Sequence, residues 1–182
     1  MISLGVISDT HIPDRARSLD VRVVPLFRQA GVEAILHAGD VSEPGILAQL
    51  GEVAPVYAVR GNRDWLWLSC LPKELRANFF GVEIGLTHGH GNLWNYLIER
   101  PYFMLHGYQH ERLFPRLKKA FPNSRVIVFG HGHRSLNRWV EGQLMFNPGS
   151  PHFPDRKSHP ASIGLLHIST DGEVEGEIIV MK

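Results

Sequence analysis

Seven residues of types that hold metal ions sit at the ends of apolar runs: Asp9, His11, Asp40, Asn62, His88, His131 and His133. Carboxylate, amide oxygen and imidazole are mixed, fairly hard donors that suit manganese, iron, zinc or nickel. The lack of thiolates among them argues against a closed structural zinc site. Seven donors are too many for one ion. If one carboxylate bridges two ions, each keeps positions for water and substrate, the arrangement used for phosphoryl chemistry. Two divalent ions outweigh two aspartates in charge, so the site stays cationic even with a bound hydroxide and attracts an anionic phosphate ester.

The elements that must position these donors follow one grammar. Val6-Ile7-Ser8-Asp9-Thr10-His11, Ala34 to Asp40, Val56 to Asn62, Ile84 to His90 and Val126 to His133 each run apolar and then break into polar residues and glycine. In open α/β sheets, ligands collect outside the carboxyl ends of the strands, so five such ends converge on one crevice. Helical spacing over Leu19 to Ala30 and again after Ser42-Glu43-Pro44, each stopped by glycine, predicts a βαβα opening with parallel strands. The middle is less regular. Leu71 to Leu75 reads as loop, Asn78 to Leu86 as two short strands turning at Gly81, and Gln109 to Phe121 as one helix. Asn92 to Tyr108, interrupted by Pro101, reads as two short helices or a lid. Strands over 135–140, 144–146, 162–169 and 174–181 give a β-rich second half, expected to form a second sheet packed on the first.

A chain of 182 residues with 43% hydrophobic and 20% charged residues fits one soluble α/β domain spanning 1–182. A net charge of +1 gives no broad basic patch, so no long nucleic acid is expected as partner, whereas a small phosphate ester remains suitable. Cys70 is the lone cysteine, which suits a reducing compartment. The N-terminus has no signal-peptide pattern and no run approaches a membrane span, so the expected location is cytoplasmic with no membrane partner.

Asp-x-His at Asp9, Gly-Asp at Asp40, Gly-Asn at Asn62, a later His-Gly-His at His88 and Gly-His-x-His at His131, in that order, resemble the calcineurin-like metallophosphoesterase superfamily. The short length and the Asn147-Pro148-Gly149-Ser150 loop resemble its small single-domain bacterial and archaeal phosphodiesterase branch. The resemblance implies a four-layer αββα sandwich of two mixed sheets flanked by helices. It also implies that Asp9, His11 and His133 hold one divalent metal, that Asn62, His88 and His131 hold the other, and that Asp40 bridges, with manganese the first choice of ion. His88 is preferred to His90 because the family pattern uses the first histidine of Thr-His-Gly-His. The implied reaction is in-line attack on phosphorus by a metal-bridging hydroxide, with a phosphodiester as the favoured substrate.

One departure concerns the histidine that the family carries after Gly-Asn; this chain has Arg63. Arginine keeps its proton at any working pH, so it can clamp a phosphate oxygen but cannot act as general acid. Alternatively Arg63 faces solvent, and water or His90 protonates the leaving group. Asp64 is expected to orient a ligand or Arg63 from behind. Trp94, Tyr96 and Tyr102 could stack a nucleobase, or form core or a subunit contact, which leaves a homo-oligomer open. Trp65 and Trp67 could rim the pocket, His152 and His159 could reach phosphate, and His37 reads as a hydrogen-bonded core residue. The competing readings are a phosphomonoesterase on the same ligands and a non-catalytic scaffold, since a retromer-coat subunit resembles this fold.

Overall fold

Each apolar run that precedes a candidate ligand is a strand in the structure, a computed structural model that describes residues 1–64, 68–91, 93–152 and 160–181, with the backbone alone at 93–98 and 100. In chain order the elements are β1 (Ile2–Ile7), α1 (Val23–Gln29), β2 (Ala34–His37), α2 (Pro44–Gly51), β3 (Val56–Ala58), β4 (Glu74–Phe79), β5 (Val82–Thr87), α3 (Leu93–His106), α4 (Phe114–Ala120), β6 (Val126–Val128), β7 (Ser135–Val140), β8 (Gln143–Pro148), β9 (Ser162–Ile168) and β10 (Val174–Val180). They form two five-stranded mixed sheets, ordered β10-β9-β1-β2-β3 and β4-β5-β6-β8-β7. Strands β1, β2 and β3 run parallel in one sheet, with β3 at its edge, and β5, β6 and β8 run parallel in the other. Antiparallel β9 and β10 complete the first sheet, and antiparallel β4 and β7 edge the second.

Period-two alternation decides which layer each side chain enters. Leu4 and Val6, Leu36, Ile84 and Leu86, Val126 and Val128, Leu144 and Phe146, and Leu166 point between the two sheets. The intervening Ile7, Ile35, Ile163 and Leu165 point outward to Val23 and Phe27 of α1 and Ile46 and Leu50 of α2. On the far side Ile127 and Met145 pack against Phe114 and Leu117 of α4 and Phe121. Strands β1, β2, β6, β8 and β9 are largely apolar on both faces because both faces are covered, and each fully buried aliphatic or phenyl group contributes about 1.5–3 kcal/mol. The layers are therefore helix, sheet, sheet, helix, as the motif resemblance implied.

The structure corrects four details. The β-rich second half does not make its own sheet: β9 and β10 return to the first sheet, where β9 pairs with β1 from Ile2↔Ile168 to Val6↔Gly164. Glu74 already belongs to β4, where Leu75 packs on the inter-sheet core. Residues 109–121 divide into a 3-10 turn at His110–Arg112 and α4, because Pro115 has no N–H to continue an upstream helix and is tolerated in a first turn. Residues 93–106 form one helix with Pro101 inside it. Among the described residues, no helix is long and apolar enough to cross a membrane.

Candidate metal centre

The ligand-bearing loops leave five neighbouring strand ends. The β1–β2 pairing continues past the strands as Asp9 N–H donates to Gly39 O at 2.9 Å and His11 N–H to Asp40 O at 3.0 Å, which holds two ligand loops in register. Eight non-glycine residues have positive φ among those described, and five are candidate ligands: Asp9, His11, Asp40, His131 and His133. Such backbone costs free energy and persists where surrounding structure over-determines it, as at functional sites.

All seven sequence-derived donors come together. His11 Nε2 lies 2.9 Å from His133 Nε2. Asp9 Oδ1 is 3.3 Å from His133 Nε2 and 3.7 Å from His11 Nε2. Asp40 Oδ2 stands between the two halves, 3.7 Å from His11 Nε2 and 3.4 Å from His88 Nε2. Asn62 Oδ1 is 3.1 Å from both His88 Nε2 and His131 Nδ1. Asp9, His11 and His133 offer mutually close ligand atoms, and so do Asp9, Asp40 and His88.

These donors are oriented from behind. Ser8 Oγ donates to Asp9 Oδ2 at 2.6 Å and His131 N–H donates to the same oxygen at 3.0 Å, while the buried Oδ1 accepts no hydrogen bond. Arg63 N–H donates to Asp40 Oδ1 at 2.8 Å, leaving Oδ2 to the imidazoles. His88 Nδ1–H donates to Ala38 O at 2.8 Å, so Nε2 is the nitrogen turned inward. Burial alone would raise the Asp9 and Asp40 carboxyls, but His133 and His11 beside Asp9 and His88 beside Asp40 outweigh it. Asp9 is held well below the usual range and Asp40 at about 2. Burial opposes the charge of His88, yet Asp40 and Asp9 raise it to about 9. His131 goes the other way, to about 3, through burial and the charge of His88. Two buried carboxylates, an orphaned carboxylate oxygen and inward-facing imidazole nitrogens make a cluster whose donor set fits divalent cations.

The remaining expected residues divide. Asp64 is buried, but its oxygens are spent on backbone: Ser42 N–H at 2.8 Å, Gly61 N–H at 2.7 Å and Val41 N–H at 3.3 Å. It braces the loops that carry Asp40 and Asn62 rather than touching a ligand side chain. Arg63 is exposed and meets the centre through its backbone N–H. His90 lies 5.3 Å from His88 and 6.2 Å from His131, ring to ring, beside a hollow of about 310 Å³ that Lys73, Thr87 and Arg116 also line. Burial first, and then the charge of His88, lowers His90 to about 4. His37 is buried, accepting from Gly39 N–H at 3.2 Å and meeting Thr10 Oγ1 at 3.3 Å. Tyr102 stacks on His106 and carries the Arg112 guanidinium on its ring. His152 is half-buried, its backbone N–H 3.4 Å from Ser150 Oγ. Trp65, Trp67 and His159, and the side chains of Trp94 and Tyr96, lie outside the described residues.

The model of the calcineurin-like phosphoesterase superfamily domain matches residues 2–171. The chain belongs to this superfamily. Among its relatives, a probable metallophosphoesterase of Methanothermobacter thermautotrophicus is 36% identical over 177 residues, covering 97% of this chain and 91% of that one. The phosphodiesterase YfcE of Escherichia coli is 29% identical over 183 residues, covering 91% and 88%. The solved structure of Vacuolar Protein Sorting 29 from Cryptosporidium parvum shares the fold, with a TM-score of 0.71 at 18% identity over 99% of this chain and 98% of that one.

In this calcineurin-like chain, several supporting residues escaped the sequence reading. Ser8, Asn147, whose Nδ2 donates to Gly130 O at 2.9 Å, and Ser150, whose Oγ donates to Asp9 O at 2.8 Å, all brace ligand loops. Asn147-Pro148-Gly149-Ser150 is visible in sequence as a turn, but its target is 141 residues away from Ser150. Tyr108 is a further case. Its ring lies over Gly132, its hydroxyl is buried without a hydrogen-bond partner, and burial, with the charge of Asp9 behind it, pushes that hydroxyl up.

Proposed function

We propose that this chain is a phosphoric ester hydrolase, acting on a small phosphodiester with two divalent cations, manganese the first candidate. Asp9, His11 and His133 would hold one cation, Asn62, His88 and His131 the other, and Asp40 both. The position of Asp40 Oδ2, 3.7 Å from His11 and 3.4 Å from His88, carries this reading, because one oxygen faces an imidazole of each set. When bound, such cations act as Lewis acids on the phosphoryl group and lower the pKa of water toward neutrality.

The protein's own contribution is preorganisation. Ser8 and His131 N–H occupy Asp9 Oδ2 and so aim Oδ1 inward; Arg63 N–H does the same for Asp40. Ala38 O fixes the Nδ1–H tautomer of His88. The Arg63 guanidinium, charged at every working pH and carried by the residue next to Asn62, would attract a phosphate oxygen and is no proton donor. With His90 lowered to about 4, water is the proton source that this reading assigns to the leaving group.

A stopped assay tests this. The manganese-loaded protein should hydrolyse an activated aryl phosphodiester faster than the matching monoester, and Asp40→Ala should abolish turnover. Equal rates for wild type and variant would sink the hydrolase reading, and a faster monoester would sink the diester preference. Cations bound with no turnover of either ester would favour the scaffold alternative.

A further inference from the structure

The centre described above uses nothing from the segment between α3 and α4, yet one residue there reaches it. Gly132 separates His131 from His133, and a Cβ added to it would lie 2.1 Å from Tyr108 Cε1, 2.2 Å from Cζ and 2.7 Å from Oη. The phenol end of Tyr108 therefore covers the Gly132 Cα, with its ring edge-on to His131 at 6.4 Å between centroids. The ring is held from several sides. Phe103 packs at 4.8 Å, His110 meets it edge-on at 5.1 Å, and Arg134 sets its guanidinium 5.9 Å from the ring centre while donating to Tyr108 O at 2.9 Å.

A phenylalanine would make every one of these ring contacts. The hydroxyl adds only a buried polar group with no hydrogen-bond partner. Such a group costs stability, whereas an apolar replacement of the same shape is neutral or favourable. The chain thus carries an unmet donor, on a fixed ring, over the loop that presents two of the seven candidate ligands.

We infer that Tyr108 is a substrate-contacting residue, its hydroxyl donating a hydrogen bond to a non-bridging phosphoryl oxygen of the ester held at the metal centre. The inference rests on the phosphoester reading of that centre. A neutral donor at this position orients the phosphoryl group without adding to the charge already present. The donor is preorganised by the ring contacts, so little ordering is required when the ligand arrives.

Tyr108→Phe isolates the hydroxyl. The variant should melt at the same or a higher temperature than wild type and titrate with manganese identically. Its manganese-loaded form should bind inorganic phosphate roughly ten- to a hundredfold more weakly by calorimetry and lose a similar factor in kcat/KM on the aryl phosphodiester. Phosphate affinity within twofold of wild type overturns the inference, and so does a drop in melting temperature with weakened manganese binding, which would make the hydroxyl structural. The calorimetry separates the two readings: wild type that binds phosphate through Tyr108 but turns over no ester fails as a hydrolase and keeps this contact. Wild type that binds no phosphate when loaded overturns the contact as well.

Discussion

Removing the Asp64 carboxylate should destabilise the protein before any substrate is involved. Asp64 is 1% exposed and accepts three backbone N–H groups, from Val41 and Ser42 beyond β2 and from Gly61 beyond β3. Each hydrogen bond to a charged group is worth about 1.5–3 kcal/mol. With Asp64→Ala three buried donors lose their acceptor, and allowing for water entering the vacated space, the net loss is about 4 kcal/mol, near the low end of that sum. Against a typical total of roughly 5–15 kcal/mol this is large. Asp64→Asn keeps one carbonyl oxygen but sets an amide N–H₂ against a backbone donor, so about half the loss is expected. Urea denaturation in the presence of a chelator measures this, and a manganese titration of the same variants should show weakened binding, since Asp40 and Asn62 sit on the two loops that lose their tie. If Asp64→Ala keeps its metal-free stability within about 1 kcal/mol of wild type and loses only turnover, the bracing argument is wrong and Asp64 acts on substrate.

Gly61→Ala should abolish tight metal binding while leaving the circular dichroism spectrum intact, because a Cβ there would lie 2.1 Å from Asp40 Oδ1 and 2.4 Å from Asp40 N; an unchanged manganese affinity would contradict this. Ser8→Ala removes the 2.6 Å donor to Asp9 and should weaken metal binding about 10–100-fold, as loss of a bond that orients a ligand does elsewhere; a titration curve overlying wild type would count against it. His37 is lowered by burial from its ordinary 6.5 to about 4, so its stabilising contribution is present above pH 6.5 and lost as pH falls toward 4, about 3 kcal/mol in all. Metal-free wild type should therefore lose more stability than His37→Leu between pH 7 and pH 4 in urea titrations, and parallel pH profiles would refute the assignment.

The ligands were legible in the sequence because each follows an apolar strand core within a few residues, and the strand's end fixes where its side chain goes. Asp9 after β1 and His131 after β6 illustrate this: 122 residues apart, they are joined by His131 N–H donating to Asp9 Oδ2. The destination of β9 and β10 was not legible. The apolar run of β9 and the alternation of β10 say how much of each strand is covered without saying by which layer, and only the pairing of β9 with β1 settles it. The partners of Asp64 were not legible for a related reason: its nearness to Asn62 suggested chemistry, whereas the three groups it meets are backbone N–H groups on which side-chain type has no bearing. Nothing around Tyr108 in the sequence points to Gly132, because the contact depends on how the segment after α3 folds back across β6.

Strand β1 delivers Asp9 and His11, and it sits in the middle of its sheet with β2 on one side and β9 on the other. During synthesis, residues 162–168 emerge long after β1, β2 and β3 have had the chance to pair, so the nascent chain holds a three-stranded parallel sheet with β1 as a bare edge. Pairing across roughly 160 residues is slow, and an unpaired edge invites contact with other chains until it closes. Ser150, which bonds Asp9 O, is also made long after Asp9. The centre's first donors are thus made before every strand they pair with and locked last, and a chain cut before residue 160 would leave them on an open sheet.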